Sequence, residues 1–260
     1  MILTIDIGNT SITCGIYENE TLVKKFRMPS DTELTVQDYG QMLSDNIEDT
    51  KLSGAIIASV VAELNNRIQY AILSLYGVMA VILSEKSKIP ITLKLKNNSE
   101  IGADRIANGA GAYELYKKAV IVVDFGTATT FDIVNGKGEF IGGIIAPGLG
   151  TQLASLGSAT EKLPSLEVAE VSNYIGDCTK DAILSGVING TACMIDGMIE
   201  NCINELNEQP VVVATGGFCE IISKHMKKKF DAVIPELTLD SLRNLFFLNK
   251  PVQPVYNMKQ

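Results

Sequence analysis

Two aspartates, at positions 6 and 124, each sit at the end of an apolar run and open a turn of glycine and hydroxyl-bearing residues. The segments are Ile5-Asp6-Ile7-Gly8-Asn9-Thr10 and Val123-Asp124-Phe125-Gly126-Thr127-Ala128. Glycine lets backbone N–H groups come close to an anion, and neighbouring hydroxyls add donors. Gly8, Asn9 and Thr10 therefore form one candidate phosphate cradle, and Gly126, Thr127 and Thr129 a second. The carboxylates themselves repel phosphate. Asp6 and Asp124 are instead expected to hold a cation, or a metal-bound water, beside phosphate oxygens. Facing loops of this kind would grip a metal–triphosphate chain from both sides, and phosphoryl transfer consists mainly of such positioning and charge compensation. Taken singly, each loop reads equally well as a tight hairpin turn with a capping aspartate.

Two further stretches could complete such a site. Gly102-Ala103-Asp104-Arg105 falls at the start of an expected helix. Asp104 there is either a first-turn carboxylate favoured by the helix dipole or a base that accepts a hydroxyl proton. Arg105 is either a surface cation or a planar fork for an anionic substrate group. Thr215-Gly216-Gly217 follows a buried strand and exposes bare backbone against which a flat ring could lie, as in an adenosine contact. A strand-to-helix turn uses glycine in any case. His225, the single histidine, lies beside Lys227-Lys228-Lys229 and reads as a surface residue, so histidine-based catalysis is not expected.

The elements that must position these groups alternate. Strands are expected over 2–7, 12–17, 21–26, 54–61, 80–83, 131–134, 140–145, 210–214 and 232–234. Helices are expected over 36–47, 63–75, 103–117, 179–206, 220–228 and 239–248. The polar stretch 84–98 reads as a connection and 142–150 as a glycine-rich segment. Strand–turn–strand openings near residues 2 and 120 imply mixed sheets, and their recurrence implies two duplicated α/β domains, 1–117 and 118–260. The 260 residues are ample for two cores, with 46% hydrophobic and 20% charged side chains.

The composition also excludes some functions. A net charge of −8 argues against a nucleic-acid surface as the main function, because phosphate-backbone binding needs a basic footprint. No run of 18 apolar residues suits a bilayer, and Met1–Asp6 reads as a strand rather than a signal peptide, so a cytoplasmic protein is expected. Five cysteines (Cys14, Cys178, Cys193, Cys202 and Cys219) without a C-x-x-C pair read as small buried hydrophobes, not as a disulfide or zinc framework.

Asp6-x-Gly8-Asn9-Thr10, Gly102-Ala103-Asp104-Arg105, Asp124-Phe125-Gly126-Thr127-Ala128-Thr129-Thr130, Gly142-Gly143-x-Ile145-x-Pro147-Gly148 and Thr215-Gly216-Gly217 stand in one order along the chain. In order and spacing they resemble the type III pantothenate kinases, over essentially the whole length. The resemblance implies two actin-like ATPase (ribonuclease H-like) domains. The implied reaction is ATP-dependent phosphorylation of the 4′-hydroxyl of pantothenate, in the first step of coenzyme A synthesis. It implies a homodimer, a requirement for Mg²⁺ or a similar divalent ion, and K⁺ or NH₄⁺ as a monovalent cofactor.

By matching position, the resemblance makes Asp104 the proton acceptor and Asp124 the monovalent-cation ligand. Asp6 becomes the metal-associated carboxylate, with Gly8, Asn9 and Thr10 on the phosphates of ATP. Thr127 becomes a nucleotide contact, and Gly102, Ala103, Asp104 and Arg105 the pantothenate contacts. Thr179, within Gly176-Asp177-Cys178-Thr179, matches a threonine reaching the substrate from the partner subunit. One stretch departs from the family: Leu95-Lys96-Asn97-Asn98 stands where Tyr-Asp-Asn-Pro is common, and leucine cannot replace a phenol hydrogen bond worth about 1 kcal/mol. Another kinase of the superfold, or a silent nucleotide-binding relative with a regulatory role, is the alternative reading.

Overall fold

The computed structural model describes residues 1–48, 50–159 and 166–250. Its first sheet contains β1 (Ile2–Ile7), β2 (Ser11–Glu18), β3 (Thr21–Pro29), β4 (Gly54–Ser59) and β5 (Val81–Ile82), in the order β3-β2-β1-β4-β5. The second contains β6 (Thr92–Leu93), β7 (Val120–Phe125), β8 (Ala128–Val134), β9 (Glu139–Pro147), β10 (Val211–Thr215) and β11 (Ala232–Val233), in the order β11-β10-β7-β8-β9-β6. Without β6 the two orders are the same plan. An antiparallel meander of three strands continues through its first strand into parallel neighbours. The mixed sheets expected from the duplicated openings are present in both halves.

Among the described residues, seven α-helices flank and separate the sheets: α1 (Val36–Ile47), α2 (Ala62–Tyr76), α3 (Ala103–Tyr116), α4 (Leu149–Ala159), α5 (Thr179–Leu206), α6 (Cys219–His225) and α7 (Leu237–Asn249). α1 starts at a capping box, in which Thr35 and Asp38 satisfy each other's backbone N–H groups. It buries Tyr39, Leu43 and Ile47 against the outer face of the first sheet, with Leu64, Ile68 and Ile72 of α2 alongside. On the outer face of the second sheet, Leu184, Val187, Ile188, Ala192 and Ile195 of α5 pack with Ile222 of α6.

The middle layer consists of α3 and α7. Ile106, Ala107 and Ala110 meet Leu242, Leu245 and Phe246 there, between Ile56 and Ala58 of one sheet and Val120, Val122 and Val213 of the other. The helices approach closely because Gly111 has no side chain: a Cβ on it would lie 1.7 Å from the Ser241 hydroxyl.

The period of two along a strand decides what faces this layer. In β1, Leu3, Ile5 and Ile7 point outward into the first core, so Thr4 and Asp6 point inward. In β7, Ile121, Val123 and Phe125 point outward, so Asp124 points inward as well. Both aspartates therefore face the space between the sheets, at the carboxyl ends of their strands, where open α/β sheets form crevices.

Several expectations need correction. The two-residue strand β6, which precedes α3, joins the second sheet by pairing with β9. Helix α4 occupies part of what reads as a glycine-rich segment. The helix expected over 220–228 stops at His225, which leaves Lys227, Lys228 and Lys229 exposed in the following turn. His225 is half-buried rather than a free surface residue, with Nδ1 2.9 Å from Asn189 Oδ1. Only Cys14 and Cys219 are buried, while Cys178 and Cys193 are exposed. Helix α5 is long and apolar enough to span a membrane by composition, but half of that window is packed inside the protein.

Candidate active site

A cleft of about 900 Å³ lies between the two sheets and is lined by residues of both hairpin turns, of α3 and of the turn after β10. The first hairpin pairs Asp6 with Thr13 and Ile7 with Ile12, and Gly8 N–H donates to Ser11 O at 3.1 Å to close its turn. In the second, Asp124 pairs with Thr130 and Phe125 with Thr129, and Gly126 N–H donates to Ala128 O at 3.0 Å. This second turn is one residue shorter than the first. The two tips touch across the cleft: Thr127 Oγ1 donates to Thr10 Oγ1 at 3.1 Å. The start of α4 braces the second tip, because Gly148 N–H and Thr151 Oγ1 both donate to Thr127 O, at 3.1 and 2.7 Å.

Asp104 occupies the first turn of α3, where the helix dipole favours a carboxylate. Its Oδ1 accepts from Arg105 N–H at 2.8 Å. One turn later on the same face, fully buried Asn108 donates through Nδ2 to Asp124 Oδ2 at 2.8 Å. The Asn108 Oδ1 accepts from Thr238 Oγ1 of α7, also at 2.8 Å. This relay ties three elements together and orients one edge of the Asp124 carboxylate. The other edge faces Gly216, whose φ is +87° and on which a Cβ would lie 2.4 Å from Asp124 Oδ1. Gly216 is thus required both by its backbone conformation and by the closeness of Asp124.

Electrostatics set this cluster apart. Burial holds the Asp6 carboxyl well above its ordinary value, and the charges of Asp104 and Asp124 raise it further. Burial also raises Asp104, against the opposing pull of the Arg105 N–H and guanidinium. Asp124 is pushed up to about 6, mainly by burial, with the Asn108 hydrogen bond pulling down and Asp104 pushing up. Three carboxylates that disfavour one another's ionisation in a low-dielectric cleft suit a cation, which would relieve all three together. The residues present therefore fit a metal ion held beside phosphate.

Relatives among curated proteins bear on what that cleft is for. A type III pantothenate kinase of Citrifermentans bemidjiense is 35% identical over 255 residues, which cover 96% of this chain and 100% of that protein. The sequence model of type III pantothenate kinases matches residues 2–201. The chain belongs to the type III pantothenate kinase family.

Solved structures agree on the fold. A Baf family protein from Campylobacter jejuni superposes with a TM-score of 0.58 at 17% identity, covering 94% of this chain and 97% of that one. A ROK family glucokinase from Streptomyces griseus, solved with glucose and AMPPNP, gives 0.52 at 13% identity, covering 94% and 98%.

Within this family member, the cleft brings together most of the residues singled out from sequence. Asp6, Gly8, Asn9, Thr10, Gly102, Asp104, Arg105, Asp124, Thr127, Gly216 and Gly217 all line it. Ala103 is buried beneath them. Arg105 is committed to the second sheet: Nε donates to Asp132 Oδ1 at 2.6 Å and Nη2 to Phe131 O at 3.2 Å. Thr179 is not among the lining residues and stands exposed at the first residue of α5. Leu95 packs on the central core, and its N–H donates to Asn98 Oδ1 at 3.2 Å. Asn108, Thr238 and Thr151 escape a reading of sequence alone. The one signal for Asn108 is an amide standing four residues after Asp104 among small apolar neighbours.

Proposed function

We propose that this protein transfers the γ-phosphoryl group of ATP to the 4′-hydroxyl of pantothenate, the step that opens coenzyme A synthesis. The observation that carries the reading is the contact of Thr10 with Thr127, which brings two aspartate-bearing loops to one cleft beside Asp104. Gly8, Asn9, Thr10 and Thr127 hold the phosphates through backbone N–H groups and hydroxyls. Gly216 and Gly217 offer bare backbone to the adenosine. Gly102, Ala103, Asp104 and Arg105 form the pantothenate side. Arg105 presents its guanidinium from an anchor on Asp132.

In the reaction Asp104 accepts the hydroxyl proton as the new O–P bond forms. The bond between the β- and γ-phosphates breaks, and ADP departs. Burial raises the Asp104 carboxyl, which makes it a stronger proton acceptor than an ordinary aspartate. Asp6 would hold Mg²⁺, and Asp124, oriented by Asn108, would hold K⁺ or NH₄⁺. When bound, these ions neutralise the charge of the triphosphate. The protein acts as a cytoplasmic homodimer in which Thr179 of each chain completes the other chain's pantothenate site. Its exposure at the start of α5, away from its own cleft, supports this arrangement.

Asp104→Asn tests the base. The amide keeps the shape but cannot accept the proton, so kcat should fall by roughly 10²–10⁴-fold while nucleotide affinity is kept. A rate within a few-fold of the parent would remove Asp104 from that role.

A further inference from the structure

Among the described residues, three cations line the cleft: Lys25, Arg27 and Arg105. Two of them are already neutralised. Lys25 pairs with Glu236 at 2.7 Å and Arg105 with Asp132 at 2.6 Å. Arg27 has no carboxylate partner among the described residues, although it stands in a strongly acidic cleft.

Its direction follows from sheet register. Asp6 pairs with Thr13, and Thr13 with Arg27, so the three residues form one lateral row on one face. With strands about 4.8 Å apart, the Arg27 backbone lies roughly 10 Å from that of Asp6. An edge strand often carries an outward cation merely to block pairing. Arg27 instead reaches inward across the cleft, since a Cβ on Gly217 would lie 3.3 Å from its Nη2. The matching row of the second sheet runs Asp124, Thr130, Ile145 and ends on an exposed apolar side chain, so the cation is not part of the duplicated plan.

Given the kinase reading above, we infer that Arg27 binds the non-transferred phosphates of the nucleoside triphosphate. It lies along the row that starts at Asp6 and ends beside the Gly216–Gly217 turn. A guanidinium there donates two parallel hydrogen bonds to phosphate oxygens and offsets charge that the aspartates cannot.

The test is calorimetric titration of the full chain with Mg·ATP, and competition by inorganic tripolyphosphate, without any acceptor. Arg27→Gln should weaken both by about ten- to a hundredfold, with the melting temperature unchanged. Arg27→Lys should recover part of the loss. Unchanged affinity for ATP would overturn the inference, as would a loss for ATP that tripolyphosphate does not share, which would assign Arg27 to the nucleoside. If the parent protein binds no nucleotide, the kinase reading itself fails, an outcome separate from any effect at Arg27.

Discussion

Neutralising Asp124 should stabilise the protein in the absence of bound cations, although it removes a residue of the proposed site. The Asp124 carboxyl is pushed from its ordinary 3.8 to about 6, chiefly by burial. At 1.36 kcal/mol per pKa unit, keeping it ionised at neutral pH costs the folded state about 3 kcal/mol. A folded-state value above the unfolded one means that protonation favours folding. That contribution is complete below 3.8 and is lost as pH rises through about 6.

Asp124→Asn carries no charge at any pH, and its amide oxygen can still accept from Asn108. In chelator and a bulky-cation buffer at pH 7.5, the variant should melt higher than the parent by up to roughly 10 °C. The gap should close as pH falls toward 4. Added potassium should narrow it from the other side, by binding the folded parent alone. Thermal melts followed by circular dichroism across this pH range give the answer. A variant that melts lower than the parent at neutral pH, or a gap that ignores pH, would refute the electrostatic reasoning.

Gly216→Ala should abolish measurable ATP binding in titration and lower stability by about 1–3 kcal/mol, because its Cβ would crowd Asp124 Oδ1 and the Phe125 N–H at a φ of +87°. Parent-like melting and affinity would show that the turn tolerates a side chain. Mixing Asp104→Asn subunits with Thr179→Ala subunits should restore activity above that of either alone, because one intact shared site forms in each heterodimer. Confirmed subunit exchange with no recovered activity would return Thr179 to its own chain.

The parts of the site carried by local pattern are legible in the sequence. A strand ending in Asp-x-Gly declares its own turn, and its recurrence at 6 and 124 declares the duplication. The alternation of Leu3, Ile5 and Ile7 already implies that Asp6 faces the other way. What depends on distant segments meeting is hidden. Asn108 and Thr238 are 130 residues apart in the chain, and nothing local marks either as the other's partner. β6 is two residues long and exists only because β9 offers it an edge. Helix α4 hides behind Gly148 and Gly150, since its first turn is held by bonds to Thr127 rather than by propensity. Cys178 and Cys193 look apolar in a list of neighbours but fall on the solvent side at the start and middle of α5. Arg105 likewise gives no sign in sequence that a fully buried Asp132 holds it.

The central claim is tested most directly by incubating the purified full chain with Mg·ATP and pantothenate, in potassium and separately in sodium. Phosphopantothenate is then followed by mass spectrometry and ADP by a coupled assay. The account predicts equimolar ADP and 4′-phosphopantothenate in potassium or ammonium, with little of either in sodium alone. ADP release that does not depend on pantothenate, or no phosphorylated product under any cation, would contradict it.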